Sequence, residues 1–237
     1  MIYKVKMCLN TIDKQAWLWY NNKVKSIERY MMKIYKYSVG RLGTNSYIVC
    51  DEGTSEAFIV DPGDDGEKLM SAVQSKSLDL KFIILTHGHF DHIMAVNHII
   101  EKTGAKLFIH TLDAPMLKDP SLSLLNRFST REMTFPTPDR CLNNGDVIKI
   151  GNSEISIIHT PGHTQGSICI KVGDDLISGD TLFRESIGRS DFPGGDYKTL
   201  LSSLKTLVSL NVKGKIYPGH GMSTTMAHEL EYNTYLM

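Results

Sequence analysis

The segment Thr86–His92, reading THGHFDH, constrains this chain more than any other stretch. It follows the apolar run FIIL (82–85). It precedes a run in which Ile93, Val96, Ile99 and Ile100 share one helical face. Four ligand-type side chains, His87, His89, Asp91 and His92, therefore crowd one strand-to-helix connection. In extended backbone alternate residues point to opposite sides, so near neighbours in sequence can serve different spots. Gly88 permits turns that a Cβ would hinder. Imidazole nitrogen and carboxylate oxygen suit Zn²⁺, Fe²⁺ or Mn²⁺. Three later stretches repeat the design of a strand ending in a small-residue turn with a ligand type at its tip. These are His163 in TPGHT, Asp180 in SGDTLF and His220 in YPGHG. A lone histidine is commonly a surface or core residue, but four such tips point to a metal site held by a rigid scaffold.

The rest of the pattern supplies that scaffold. Strands are predicted at 32–39, 46–50, 57–61, 82–86, 106–110, 146–150, 154–160, 167–172, 176–178 and 215–219. Gly151-Asn152 reads as a two-residue hairpin turn. Helices are predicted over 92–103 and over 196–210, where Tyr197, Leu200, Leu201, Leu204 and Leu207 recur at helical spacing and Tyr197 reads as core. The segment 112–140, broken by four prolines, reads as loop-rich; its Phe128, Met133 and Phe135 are candidates to cover the site. Two sheet-rich halves with helices outside give an α/β (α+β) chain layered as an αββα sandwich. Residues 1–31 stand apart as an N-terminal extension. With Met31-Met32 just before the first good strand, they suggest either a translation start there or an added helix on a domain spanning 32–237.

Lys+Arg and Asp+Glu number 26 each, so no basic excess argues for nucleic acid or an anionic membrane. No apolar run approaches the roughly 18 residues needed to span a bilayer, and the first residues lack the apolar stretch of a secretory signal. Cys8, Cys50, Cys141 and Cys169 form no CxxC, which disfavours a thiolate zinc site or a disulfide framework and makes a reducing cytoplasm the expected setting.

In the order Asp61-Pro62-Gly63, HxHxDH at 87–92, His163, Asp180 and His220, the chain resembles the metallo-β-lactamase superfamily over about residues 32–237. The resemblance implies one metal on His87, His89 and His163, a second on Asp91, His92 and His220, and Asp180 bridging both. Asp61 would buttress the ligand loop. Zinc β-lactamases usually carry Cys where Asp180 stands, so the Asp looks like the branch containing glyoxalase II. GDTLFRESIGRSDFPGGD (179–196) looks like short bacterial glyoxalase II-type proteins. Arg189 matches the basic residue that grips the glutathione carboxylate in the long enzymes, while Asp191 stands where they have an aromatic. The sequence ends before the helical glutathione-binding domain of those enzymes.

The resemblance implies two divalent ions, zinc foremost with iron or manganese as alternatives. It also implies hydrolysis of a small-molecule thioester, S-lactoylglutathione or an analogue, by a metal-bound hydroxide, with Asp91 as the catalytic group for proton transfer. The alternative is a persulfide dioxygenase with one Fe²⁺ on His87, His163 and Asp180, to which GRSDF (188–192) is also similar. RNA processing and a non-catalytic binding role rank lower, since no basic region and no lost ligand is visible. His98, His110, His159 and His228 read as non-ligands.

Overall fold

The computed structural model describes residues 32–128 and 133–236; the expectations for residues 1–31 lie outside them. The described chain forms two six-stranded sheets. The first contains β1 (Met32–Val39), β2 (Thr44–Asp51), β3 (Glu56–Val60), β4 (Asp79–Ile84), β5 (Lys106–His110) and β6 (Arg140–Leu142), ordered as in sequence. Antiparallel pairing of β1, β2 and β3 gives way to parallel pairing from β3 to β6. The parallel crossovers carry the helices α1 (Gly66–Ser75), α2 (Phe90–Ile93) and α3 (Val96–Thr103).

In the second sheet, β7 (Val147–Ile150), β8 (Ser153–His159), β9 (Ile168–Val172) and β10 (Asp175–Gly179) run antiparallel. β13 (Lys215–Pro218) then pairs parallel with β10, and β14 (Thr224–Thr225) closes the edge. The crossover before β13 holds α5 (Tyr197–Ser209) and the small hairpin of β11 (Leu182–Phe183) and β12 (Ser186–Ile187). A short α4 (Leu125–Phe128) precedes β6, and α6 (Met226–Tyr232) follows β14.

Strand periodicity builds the layers. In β2, β3 and β4 the residues Tyr47, Val49, Phe58, Val60, Phe82 and Ile84 face Ile148, Ile155, Ile157, Ile170 and Ile177 of the other sheet. The alternate residues Ile48, Ala57, Ile59 and Ile83 face Leu69, Val73, Val96 and Ile99 of the helices. On the far side Cys169, Leu176 and Ile216 pack under Leu204, Leu207 and Met226. Because both faces of the central strands are covered, their sequences read as apolar runs rather than alternations. Phe58, Phe82 and Phe108 stack at centroid separations of 5.2 and 5.0 Å between the sheets. Burying such a ring contributes about 1.5–3 kcal/mol.

The expected αββα sandwich is therefore present, and the hairpin turn falls at Gly151-Asn152 between the paired Ile150 and Ser153. Two expectations need correction. The helix predicted over 92–103 is two helices, because the Ala95 amide donates to Pro62 O instead of continuing the helical ladder. Tyr197 is not core; it is half exposed on the first turn of α5. Segment 112–140 is loop-rich as expected, its described residues holding only a 3-10 turn at Ala114–Leu117 and the short α4 before β6 begins. No helix of the described residues is long and apolar enough to cross a membrane.

Candidate metal centre

Strand ends deliver the ligand-type residues to one rim of the sandwich. The tip after β4 carries His87, His89, Asp91 and His92, the turn after β8 carries His163, Asp180 follows β10, and His220 follows β13. The two sheets are laced together at this rim. The Ile168 amide donates to Thr86 O at 2.9 Å, and the Asn45 amide donates to Gly219 O at 2.7 Å.

All seven predicted residues converge. The rings of His87, His89 and His163 lie 4.7–4.8 Å apart by centroid, nearly perpendicular to one another. Their ligand atoms all lie within 4.8 Å of one another, as do those of Asp91, His92 and His220. Asp180 sits between the two triads. One carboxylate oxygen is 3.6 Å from His92 Nε2, and the other is 3.7 Å from His163 Nε2 and 3.6 Å from His220 Nε2. A Cβ on Gly219 would fall 2.0 Å from Asp180 Oδ1, so glycine is what lets the His220 turn approach this carboxylate.

The donor set fits divalent cations. Among the described residues, buried polar side-chain atoms without a hydrogen-bond partner include His87 Nε2, His89 Nε2, His92 Nε2 and Asp180 Oδ1. Such atoms are costly in a dry interior unless something coordinates them. Imidazole nitrogens clustered with carboxylate oxygens are donors that Zn²⁺, Fe²⁺ and Mn²⁺ accept.

The triads differ electrostatically. Burial, reinforced by the neighbouring histidines, pushes His87 well below its usual range and His89 down to about 3. Both rings therefore stay neutral with a lone pair available. Burial works against a charge on His92 too, but Asp91, Asp180 and Asp61 outweigh it and push that ring up to about 10. Burial alone would raise Asp91; His92, His220 and Thr44 together hold its carboxyl well below the usual carboxylate range.

Asp61 takes the buttressing place expected of it. It lies 2.9 Å from His92 Nδ1 and accepts from the Thr86 amide and hydroxyl at 2.7 and 2.6 Å. Two supports went unseen in the sequence. Thr44 Oγ1 donates to Asp91 Oδ2 at 2.9 Å, and Asn45 Nδ2 and Tyr47 Oη both donate to Pro218 O, steadying the His220 turn. All three lie on β2, far from the HxHxDH motif in sequence, and only sheet pairing brings them near.

Arg189 stands at a cleft of about 520 Å³ that His89, Asp91, His163, Asp180 and His220 share with Leu42, Phe90, Phe128, Phe183 and Phe192. Its guanidinium lies 3.7 Å over the Phe192 ring and donates to both Asp191 carboxylate oxygens at 2.7 and 2.6 Å. Of the residues proposed to cover the site, Phe128 lines the cleft, whereas Phe135 is buried in the helix-facing core and Met133 packs against it. The four histidines read as non-ligands lie outside the two triads. His98 faces Glu67, His110 stacks on His159 at 4.1 Å, and His228 meets Glu185 at 2.8 Å.

A four-layer sandwich with histidines and carboxylates gathered at its rim defines the class, and the family profile described as "Metallo-beta-lactamase superfamily" matches residues 39–220. The chain belongs to that superfamily. Among its relatives is the hydroxyacylglutathione hydrolase GloC of Haemophilus influenzae, 35% identical over 81% of this chain and 92% of the relative. Similar solved structures include the BLEG-1 B3 metallo-beta-lactamase (36% identity, TM-score 0.81, 87% of this chain and 99% of that one). They also include TTHA1623 in a di-iron-bound form (35%, 0.74, 85% and 100%) and ETHE1 from Myxococcus xanthus (26%, 0.70, 85% and 83%).

Proposed function

We propose that this chain is a metal-dependent hydrolase that cleaves a thioester of a low-molecular-weight thiol, with the domain at 32–237 holding two divalent ions. His87, His89 and His163 would hold one ion, Asp91, His92 and His220 the other, and Asp180 both. The observation that carries this reading is the position of Asp180, whose two oxygens reach ligand nitrogens of both triads. Bound there, such ions supply Lewis acidity to a water and to the substrate carbonyl.

The remaining work falls to the chain's own groups. Asp91 is part-exposed at the cleft, and Thr44 and His220 fix one of its oxygens, at 2.9 and 3.2 Å. The carboxylate would orient the attacking water and take its proton as the new C–O bond forms. Breaking the C–S bond releases a thiol with a pKa near about 8.5, which can leave as thiolate without a dedicated acid. The aromatic walls of the cleft exclude water around the acyl and thiol chains. Arg189, with two of its five N–H donors spent on Asp191, would offer the others to a substrate carboxylate. The relationship to GloC supports hydroxyacyl thioesters as the substrate class.

A second reading, a persulfide dioxygenase with one iron on His87, His163 and Asp180, is supported by the segment Gly188–Phe192 and the structural likeness to ETHE1. Assays of metal-loaded protein, anaerobic with S-lactoylglutathione and other acyl thioesters and air-equilibrated with glutathione persulfide, separate the two. Thioester turnover without oxygen supports hydrolysis; oxygen uptake with persulfide and no thioester cleavage would reverse the order.

A further inference from the structure

We propose that Asp113 is a positioning residue for the His87–His89–His163 triad, the counterpart of what Asp61 does for His92; the proposal rests on the two-metal reading above. Asp113 lies in the turn after β5, outside every ligand-bearing stretch, and its side chain is buried. One carboxylate oxygen accepts from the Gly88 amide at 3.2 Å and from Thr164 Oγ1 at 2.7 Å, and the other accepts from the Gly166 amide at 2.7 Å. Gly88 lies between His87 and His89, and Thr164 follows His163. A single carboxylate thus ties Gly88 to Thr164, 76 residues further on, and so joins the two loops that bear all three imidazoles.

The surrounding sequence is cut to admit this contact. A Cβ on Gly166 would fall 2.7 Å from Asp113 Oδ1 and 2.6 Å from its backbone nitrogen. A Cβ on Gly88 would fall 2.6 Å from Met116 Cβ, on the 3-10 turn that follows Asp113. Both glycines therefore serve the approach of one segment to the ligand loops. The imidazoles also meet one another and their local surroundings, His89 Nδ1 lying 2.9 Å from His163 Nε2. His163 Nδ1 meets Arg189 O at 2.7 Å and His87 Nδ1 meets Thr86 Oγ1 at 3.1 Å, whereas His89 Nε2 has no partner. Besides the Ile168 amide bond to Thr86 O at the strand ends, Asp113 is the side chain that joins the tips of the two loops. An asparagine keeps the shape of this side chain but turns an N–H toward a backbone N–H, so Asp113→Asn opposes the contact without opening a cavity.

The test is metal affinity, measured separately from activity. Wild type, Asp113→Asn, Asp113→Ala and Asp51→Asn, stripped with chelator, are titrated with Zn²⁺ against a chromophoric competitor, and their Co²⁺ absorption spectra are compared with that of His89→Ala. Asp51 is the control for general destabilisation. It is equally buried and accepts from Gly53, Thr54 and Ser153, but it lies at the far end of β2 from Thr44, about 23 Å away at 3.3 Å per residue. Both Asp113 variants should weaken one ion by about 10–100-fold, and the ion retained should give the Co²⁺ spectrum of His89→Ala. Asp51→Asn should lower the melting temperature of the metal-free protein and leave both affinities unchanged. Wild-type affinity for both ions in folded Asp113→Asn, or equal weakening of both, would overturn the proposal. Failure of the wild type itself to bind any ion would instead reject the metal reading beneath it.

Discussion

His87, His89 and His163 are three imidazoles packed ring against ring and almost wholly buried, whereas the other triad sets the buried His92 between two part-exposed cleft groups, the Asp91 carboxylate and the His220 imidazole. In the first triad desolvation dominates and keeps His87 and His89 neutral. In the second, carboxylates outweigh desolvation, and His92 is pushed up to about 10. The contrast separates two tasks. The buried triad reaches the cleft only through the edges of His89 and His163, and the mixed triad leaves the Asp91 carboxylate part-exposed there. Asp180 belongs to both, which makes it the joint between them.

The comparison can be broken in order of expected effect. His89→Ala removes a ligand from the buried triad and should lower kcat/KM by roughly 100-fold or more, beyond the range of an outer-sphere change. Steady-state kinetics alongside metal analysis would show it, and near-wild-type turnover would remove His89 from the centre. Asp61→Asn strikes the mixed triad directly, through His92 Nδ1, and the buried triad only at second hand, through the Thr86 hydroxyl that meets His87 Nδ1. Affinity for one ion should fall by about 10–100-fold while the His87–His89–His163 ion is retained. Equal loss of both would mean that the triads are not separable. Arg189→Ala should raise KM for a carboxylate-bearing thioester by about 2–5-fold, the scale of an exposed ion pair, with kcat unchanged. A fall in kcat instead would place Arg189 closer to the chemistry than its exposed position suggests.

The smallest effect comes from a histidine in neither triad. Burial, then the stacked His159, lowers His110 to about 4. The folded state therefore favours neutral His110, while the unfolded chain takes up a proton below about 6.5. The resulting stability is fully present above pH 6.5 and is lost as pH falls toward 4. His110→Gln should flatten that part of the stability–pH curve followed by denaturant melts; an unchanged acid limb would assign it to other groups. Comparison of the triads is cleanest above that window.

Much of this organisation could be read from the residues alone, for local reasons. Strands β1, β5, β8 and β9 stood out because their apolar residues face two cores, and the HxHxDH segment because it compresses four ligand types into six residues. Helix α1 did not. Its buried side chains are only Leu69, Met70 and Val73, and the preceding Asp65 is left-handed and makes no side-chain cap. The break between α2 and α3 was equally hidden, since it depends on the Ala95 amide reaching Pro62 of another loop. Helix α6 is held by buried Glu229, which accepts from the Glu185 amide and Asn233 Nδ2, contacts that only the folded chain assembles. Support residues such as Thr44 and Asp113 share this property. A single threonine or aspartate at a strand end carries no pattern until tertiary structure supplies its partner.

Crystals grown with excess Zn²⁺ and mapped by anomalous scattering give the most direct measurement of the centre. Two peaks are expected, one within reach of His87, His89 and His163, the other within reach of Asp91, His92 and His220, with Asp180 touching both. No peak at this rim, or a single peak that leaves Asp91 and His220 unliganded, would contradict a two-metal hydrolase.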